Sequence, residues 1–132
     1  MRRCLESMIV ALVAVIAANH SATAQELSEK NIPDIVNASQ NNEIRFDRDY
    51  RGRGITANGI LSGVQEVMFL HGQFAISVST SFGDIDCYTS DKKILDAAVD
   101  WNAGQAVVVS GIIRDTLLGD IQLQPGCGVV AR

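Results

Sequence analysis

The sequence predicts a mainly β domain, built as a small closed barrel of five strands with one helix between the third and the fourth. Apolar residues recur at alternate positions over much of residues 54–131, which is the spacing of half-buried strands. One stretch interrupts this alternation, because residues 94–101 carry apolar side chains at helical spacing and residues 107–113 return to strand spacing. A short helix that leads directly into a strand, in a chain rich in strands, is typical of a small barrel.

The first 24 residues have the three parts of a secretory signal peptide. Arg2 and Arg3 form a basic start, residues 8–18 are apolar, and Ala22-Thr23-Ala24 is a small-residue cleavage site before Gln25. A membrane anchor is the alternative, but the apolar run is shorter than the roughly 20 residues of a spanning helix. We therefore expect a signal peptide at residues 1–24, a single domain at residues 25–132 without a membrane span, and a periplasmic or secreted protein.

Composition and charge limit the core and the partners. Hydrophobic residues make up 47% of the chain and aromatic residues 5%, so we expect an aliphatic core. Loss of residues 1–24 removes Arg2, Arg3 and Glu6, which changes the formal net charge from −4 to −5. Basic side chains that neutralise phosphates provide most of the non-specific affinity for nucleic acid. The acidic charge therefore predicts that nucleic acid is a disfavoured partner.

The domain begins with a predicted helix and a charged lead-in. Pro33 lies where the first turn of a short helix would follow Asn31. Residues 45–53 hold the cluster of basic residues, with two acids and two rings among them. Phe46 and Tyr50 are expected to plug one end of the barrel, while the charged side chains pair or face water.

Three strands follow, each bounded by glycine or polar residues. The first strand begins at Gly54, and its inward positions change parity at Gly59, which predicts a bulge or a sharp bend there. The second strand is assigned to residues 67–70 and 74–80, and the third to residues 85–89.

The second half of the domain is a helix and two strands. Ser90 or Asp91 can cap a helix at residues 92–101, since either side chain accepts hydrogen bonds from a first turn. The fourth strand is assigned to residues 105–114, and a hairpin leads to a fifth at residues 121–131. Pro125-Gly126 interrupts this last strand, which predicts a bulge or bend.

The order strand, strand, strand, helix, strand, strand is that of the OB-fold. Within this fold, the sequence resembles the small exported bacterial OB-fold proteins of the tRNA-anticodon-binding-like family over about residues 36–131. The positions that carry the resemblance are Asn42-Glu43, Phe46, Tyr50-Arg51-Gly52, Ile55, Ala57, Gly59, Cys87, Leu95, Gly104, Val107, Val109, Gly111, Leu123 and Cys127. The resemblance implies an OB-fold barrel and export, and it implies no activity that could be assigned to single residues.

Cys87 and Cys127 are the two cysteines that follow the predicted signal peptide. An even number of cysteines in an oxidising compartment is expected to be paired. The third and fifth strands of an OB barrel are neighbours, so the two cysteines can approach within bridging distance. We predict a Cys87–Cys127 disulfide, and two buried free thiols are the alternative.

The sequence holds no recognisable catalytic or cofactor-binding pattern. His71 is the one histidine after residue 24, and Cys87 and Cys127 are far apart, so we predict no metal site. No G-x-S-x-G nucleophile motif occurs, and no glycine-rich loop has the setting of a phosphate-binding loop. These observations predict a protein that is not an enzyme and that needs no cofactor.

The outward positions of the second and third strands are the predicted binding surface. Alternation places Ser77, Ser79, Asp86 and Tyr88 on one polar, slightly acidic face. Such a face suits hydroxyl-rich or cationic partners. We therefore predict that the ligand is a small molecule, a saccharide or a protein, and its identity is unknown. A solvated barrel wall would show the same pattern, and that alternative stays open.

Arg51 and Arg53, at the entry to the first strand, are the second set of candidate binding residues. We predict that the chain is an exported binding or envelope-structural module. The alternative function is a single-stranded nucleic-acid-binding OB-fold protein, which the fold supports and the net charge disfavours.

Overall fold

Six strands form one curved sheet in the computed structural model of this chain, which describes residues 26–132. The strands are β1 (Gly54–Glu66), β2 (Phe74–Thr80), β3 (Gly83–Thr89), β4 (Ala106–Leu117), β5 (Asp120–Leu123) and β6 (Gly128–Ala131). The helices are α1 (Ile32–Asn41), α2 (Glu43–Asp49) and α3 (Lys92–Ala98), and one 3₁₀ turn (Glu29–Asn31) precedes α1. The predicted signal peptide lies outside the described residues.

The sheet closes on itself. Its strands follow the order β1-β2-β3-β5-β4, and β4 pairs in turn with β1, which completes the ring. β3 and β5 run parallel, whereas the other strand pairs are antiparallel. β6 lies beside the first half of β4. This topology, with α3 between β3 and β4, confirms the predicted mainly β OB-fold barrel.

The core of the barrel is aliphatic, as the composition predicts. Every second residue of β2 and β3 points inward, and Ile76, Val78, Ile85 and Cys87 are completely buried. Phe46 from α2 is also buried in this core, and Tyr50 is partly buried against it. Because the inward parity is fixed by these residues, the outward parity of β2 and β3 is fixed too.

The bend of β1 differs from the prediction. The register between β1 and β2 shifts at Ser62, between Leu61 and Gly63, and not at Gly59. Leu61 is therefore the inward residue, while Ile60 is exposed. Gly59 is required for another reason: a Cβ at this position would lie 2.5 Å from the backbone oxygen of Ser79.

Two segments have a different secondary structure from the predicted one. Residues 67–70, assigned to the second strand, form part of the β1–β2 loop, in which Phe69 is exposed and has a φ of 68°. The helix α2 overlaps the first half of the charged lead-in, residues 45–53, and the Asn42 side chain caps its first turn by accepting a hydrogen bond from the Arg45 amide. α1 forms as predicted, with Pro33 in its first turn.

The predicted fifth strand is divided into β5 and β6. The division falls at the connection that contains Pro125 and Gly126, since proline has no N–H for a ladder and Gly126 has a φ of 97°. Cys127 lies in this connection and forms the predicted disulfide with Cys87 of β3, with a Cα–Cα distance of 5.8 Å. The cross-link joins β3 to the β5–β6 connection beside the short parallel pairing of β3 and β5.

Among residues 26–132, we find no helix that combines the length and the apolar character needed to cross a membrane.

Candidate ligand-binding face

A row of polar side chains covers the outside of β2 and β3. Antiparallel pairing places Ser77 opposite Asp86 and Ser79 opposite Asp84. The Ser77 hydroxyl donates a hydrogen bond of 2.8 Å to the Asp86 carboxylate, and Ser79 bonds to Ser62 of β1. These side chains point outward, as the alternation of apolar residues in both strands predicts.

Tyr88 continues this row and is held by residues that the sequence analysis did not select. The Arg114 guanidinium lies over the Tyr88 ring, 5.3 Å from its centroid. Gln122 bridges the two, since its amide nitrogen donates to the Tyr88 hydroxyl at 3.1 Å and its oxygen accepts from Arg114 at 3.3 Å. Three strands, β3, β5 and β4, thus contribute to one hydrogen-bonded group.

Arg114 reaches Tyr88 from a strand that is not adjacent to β3. The pairing of β4 with β5 shifts register between Ile113 and Asp115, so Arg114 is the extra residue of a bulge. A bulge changes the direction of a strand and of the side chain that it carries. The register shift depends on how β4 and β5 pair, and no local pattern in the sequence marks it.

Three carboxylates lie close enough on this face to affect one another. Burial raises the pKa of Asp86, and the charge of Asp84 raises it further, while the hydrogen bond from Ser77 acts in the opposite direction. Burial also raises the pKa of Asp120, followed by the charges of Asp86 and Asp84. The face therefore combines a local excess of negative charge with one guanidinium. We name the residues Ser77, Ser79, Asp84, Asp86, Tyr88, Arg114, Asp120 and Gln122 the polar face.

The Tyr88 hydroxyl responds to the same charges. Burial raises the pKa of Tyr88, the charges of Asp86 and Asp120 raise it further, and Arg114 acts in the opposite direction. The phenol therefore stays protonated at neutral pH and keeps a proton that it can donate.

Arg51, the first of the two other candidate residues, has its guanidinium occupied within the protein. It bonds to the Asp47 carboxylate at 2.7 Å and to the backbone oxygen of Arg114 at 2.9 Å, and it lies over the Phe46 ring. Arg51 thus joins α2 to β4 beside the bulge. It supports the position of Arg114 and is connected to the polar face only through that residue.

Arg53 is also engaged, since its guanidinium donates to the backbone oxygen of Asp49 at 3.0 Å. The ion pair of Arg51 with Asp47 agrees with the expectation that the charged side chains of residues 45–53 pair or face water. A binding role for either residue remains a prediction.

No group of three or more histidine, cysteine, aspartate or glutamate side chains within residues 26–132 is arranged to hold a metal ion. The carboxylates of the polar face are included in this statement.

Comparisons with known proteins identify the fold of this chain. No family model and no curated protein matches it by sequence. A solved structure of a candidate nucleic acid-binding lipoprotein from Klebsiella pneumoniae is similar, with a TM-score of 0.57 and 11% identity, over 83% of this chain and 95% of that one. The identity is low, so this similarity establishes the OB-fold and nothing finer.

Two further structures match less completely. Asparaginyl-tRNA synthetase from Pyrococcus horikoshii has a TM-score of 0.49 and 14% identity over 63% of this chain, which spans about a fifth of the synthetase (20%). A replication factor A-related protein from Methanobacterium thermoautotrophicum has a TM-score of 0.41 and 16% identity over 62% of this chain and 83% of that one.

The prediction that nucleic acid is a disfavoured partner is wrong. A structure that matches most of this chain belongs to a protein described as a nucleic acid binder, so the exclusion does not hold for this fold. The prediction used the net charge of the whole domain, which averages over its surface. The net charge does not show that basic residues are concentrated locally. Four arginines lie in and just after α2, namely Arg45, Arg48, Arg51 and Arg53, and Arg114 is stacked on the Tyr88 ring.

Proposed function

We propose that this chain is an exported, non-enzymatic binding domain that holds a hydroxyl-rich ligand, such as a saccharide, on the polar face. The observation that carries the proposal is the hydrogen-bonded group of Tyr88, Gln122 and Arg114 beside the Ser77–Asp86 pair. Sugar hydroxyls both donate and accept, so they need carboxylates and amides next to a guanidinium. The face offers carboxylates, the Tyr88 hydroxyl and the Arg114 guanidinium, while the buried Gln122 amide holds Tyr88 and Arg114 together.

The barrel supports such a site because it keeps the face rigid. The residues beneath it are fully buried, and the Cys87–Cys127 disulfide fixes the position of β3. Ligand-binding groups that are already in place lose less conformational entropy when the ligand arrives. OB-fold barrels are known to bind oligosaccharides and oligonucleotides on this side of the sheet.

Single-stranded nucleic acid is the second candidate ligand. The guanidinium of Arg114 stacked on Tyr88 is an arrangement on which a base could stack in turn. The similar Klebsiella pneumoniae structure, described as a nucleic acid binder, supports this candidate as well. The positive charge of Arg45, Arg48 and Arg53, in and just after α2, would attract phosphates, and Arg48 and Arg53 each also bond to Asp49.

The experiment that distinguishes the two candidates uses a glycan array and a fluorescein-labelled oligo-dT. Binding of an array glycan that weakens by about tenfold in Tyr88→Ala and in Asp86→Asn supports the proposal. Asp100→Asn, which changes an exposed carboxylate outside the polar face, is the matched control and should bind like the parent.

Binding of oligo-dT that weakens steeply with added salt, without any glycan signal, would assign the face to nucleic acid instead. Loss of that binding in Arg114→Gln would place the oligonucleotide on the polar face. Glycan binding that is equal in the parent and in both polar-face variants would contradict the proposed site.

A further inference from the structure

A second surface of the barrel lies between α3 and β6. It is apolar and shares no residue with the polar face. An apolar groove of about 350 Å³ is formed there by Lys93, Ile94, Ala97 and Trp101 on one side and residues 129–131 on the other. We name it the α3–β6 groove. None of the residues of α3 is fully buried, so this helix leaves part of its apolar side uncovered.

The groove meets β6 at its edge and not at one of its faces. Successive side chains of a strand point to opposite faces, so a groove on a face would be lined by alternate residues only. This groove is lined by three consecutive residues of β6, 129–131. The strand therefore presents its main chain to the groove.

The hydrogen-bond register shows which main-chain groups point there. The Arg132 amide donates to the Ala106 oxygen at 2.9 Å, and Val130 pairs with Val108 in the same ladder. In an antiparallel ladder, alternate residues bond to the partner strand and the residues between them point away. Val129 and Ala131 consequently direct their N–H and C=O groups away from β4, where the described part of the chain provides no pairing strand.

We propose that the α3–β6 groove binds an extended peptide segment of a partner protein, which adds to β6 as a further strand. Main-chain groups of Val129 and Ala131 bond to the peptide, and one aliphatic peptide side chain packs among Ile94, Ala97 and Trp101. An open strand edge selects an extended peptide over a helix or a small molecule, because only a strand can satisfy a row of main-chain groups.

The charges at the rim define the peptide further. Lys93 lines the groove, and Lys92 and Arg132 are exposed next to its two walls. Asp96 lines a different groove, on the other side of α3. The peptide should therefore carry a carboxylate beside its aliphatic residue. This site is independent of the ligand on the polar face.

The test is a selection of random peptides from a displayed library on the parent protein and, in parallel, on Ala97→Glu. Ala97 is exposed, so glutamate can be accommodated in α3 while it places a charge in the groove. Ala103→Glu makes the same change in an exposed turn outside the groove and is the control. The unfolding temperatures of all three proteins establish that they are folded.

The most enriched peptide is then synthesised and its Kd is measured. We expect aliphatic residues next to acidic ones, a Kd about tenfold higher for Ala97→Glu and for Lys93→Glu, and a change below about twofold for the control Ala103→Glu. A version of the peptide methylated at alternate backbone nitrogens, on the side facing β6, should lose binding because it cannot donate to the strand edge.

Three results would overturn the proposal. One is a selection in which the parent enriches no peptide relative to Ala97→Glu. Another is unchanged affinity in both methylated peptides, one methylated at its odd-numbered and one at its even-numbered backbone nitrogens. The third is a dimer of the parent in sedimentation that Ala97→Glu dissociates, because a second copy of the chain would then be the occupant of the groove.

Discussion

Asp86 lies half-buried on the polar face, and its surroundings disfavour its ionised form. Burial and the charge of Asp84 raise its pKa in the folded protein above the ordinary carboxyl value of about 3.9. A raised folded-state pKa means that the folded state holds the proton more tightly than the unfolded state. The associated stability is present below the unfolded pKa and is lost as the pH rises through the folded one.

We therefore predict that Asp86→Asn raises the unfolding temperature at neutral pH, by about 2 °C. Asparagine keeps an oxygen that can accept the hydrogen bond from Ser77 and removes the charge. The difference between variant and parent should shrink as the pH is lowered through the folded-state pKa of Asp86 towards about 3.9. Scanning calorimetry over this pH range measures it, with Asp100→Asn as the control. A variant less stable than the parent at neutral pH would contradict the assigned cause.

At the residue scale, the sequence predicted which way side chains point better than it predicted which residues they contact. Ser77, Ser79, Asp86 and Tyr88 point outward as expected, because apolar residues alternate with them in both strands. Arg114 was not selected as a site residue because its contact with Tyr88 depends on a bulge in β4 that only strand pairing reveals. Arg51 and Arg53 were selected as candidate binding residues because they belong to a basic cluster. Their contacts within the fold depend on α2, and this helix was not predicted from the sequence.

At the element scale, the hairpin between β4 and β5 contains an unfavourable backbone conformation. Leu117 pairs with Asp120, so the loop consists of Leu118 and Gly119 alone. Both have positive φ, 52° for Leu118 and 87° for Gly119, as a type I′ turn requires. Leucine rarely adopts this conformation, and Leu118 is 96% exposed, so no packing compensates for it.

We predict that Leu118→Asn increases the free energy of unfolding by about 0.5–1 kcal/mol. Asparagine tolerates the left-handed conformation, and Asn-Gly is the preferred pair in this turn. Urea unfolding measures the change. Leu117→Asn is the matched control, because Leu117 belongs to β4 and has no positive φ, so asparagine there should leave the protein equally stable or less stable. The prediction fails if both variants change stability alike.

Elements with a clear period were predictable, whereas those defined by contacts were not. The inward residues of β2 and β3 follow from periodicity alone, and so does the presence of α3, although this helix ends at Ala98 and not at Trp101 as predicted. The division between β5 and β6 was visible as Pro125-Gly126 but was interpreted as a bend within one strand. α2 was missed because its residues are mostly charged, and its only buried residue, Phe46, gives no helical period.

At the scale of the whole molecule, charge is distributed unevenly over the described surface. The acidic residues Asp84, Asp86 and Asp120 share one face with Arg114, Arg51 bonds to the Arg114 backbone, and Lys93 lines a separate groove. One domain can therefore present surfaces of opposite character to different ligands. The net charge of the domain led to the wrong statement about nucleic acid for this reason.

We expect exported protein to begin at Gln25, because basic, apolar and small-residue segments occur in the order that signal peptidase requires. Its intact mass should equal that of residues 25–132 less two hydrogens, since an oxidising compartment permits the Cys87–Cys127 bond. The change Ala24→Leu should block cleavage and leave residues 1–24 attached. A parent mass that includes residues 1–24, or an added lipid, would contradict the prediction, and a mass with both thiols reduced would contradict the disulfide alone.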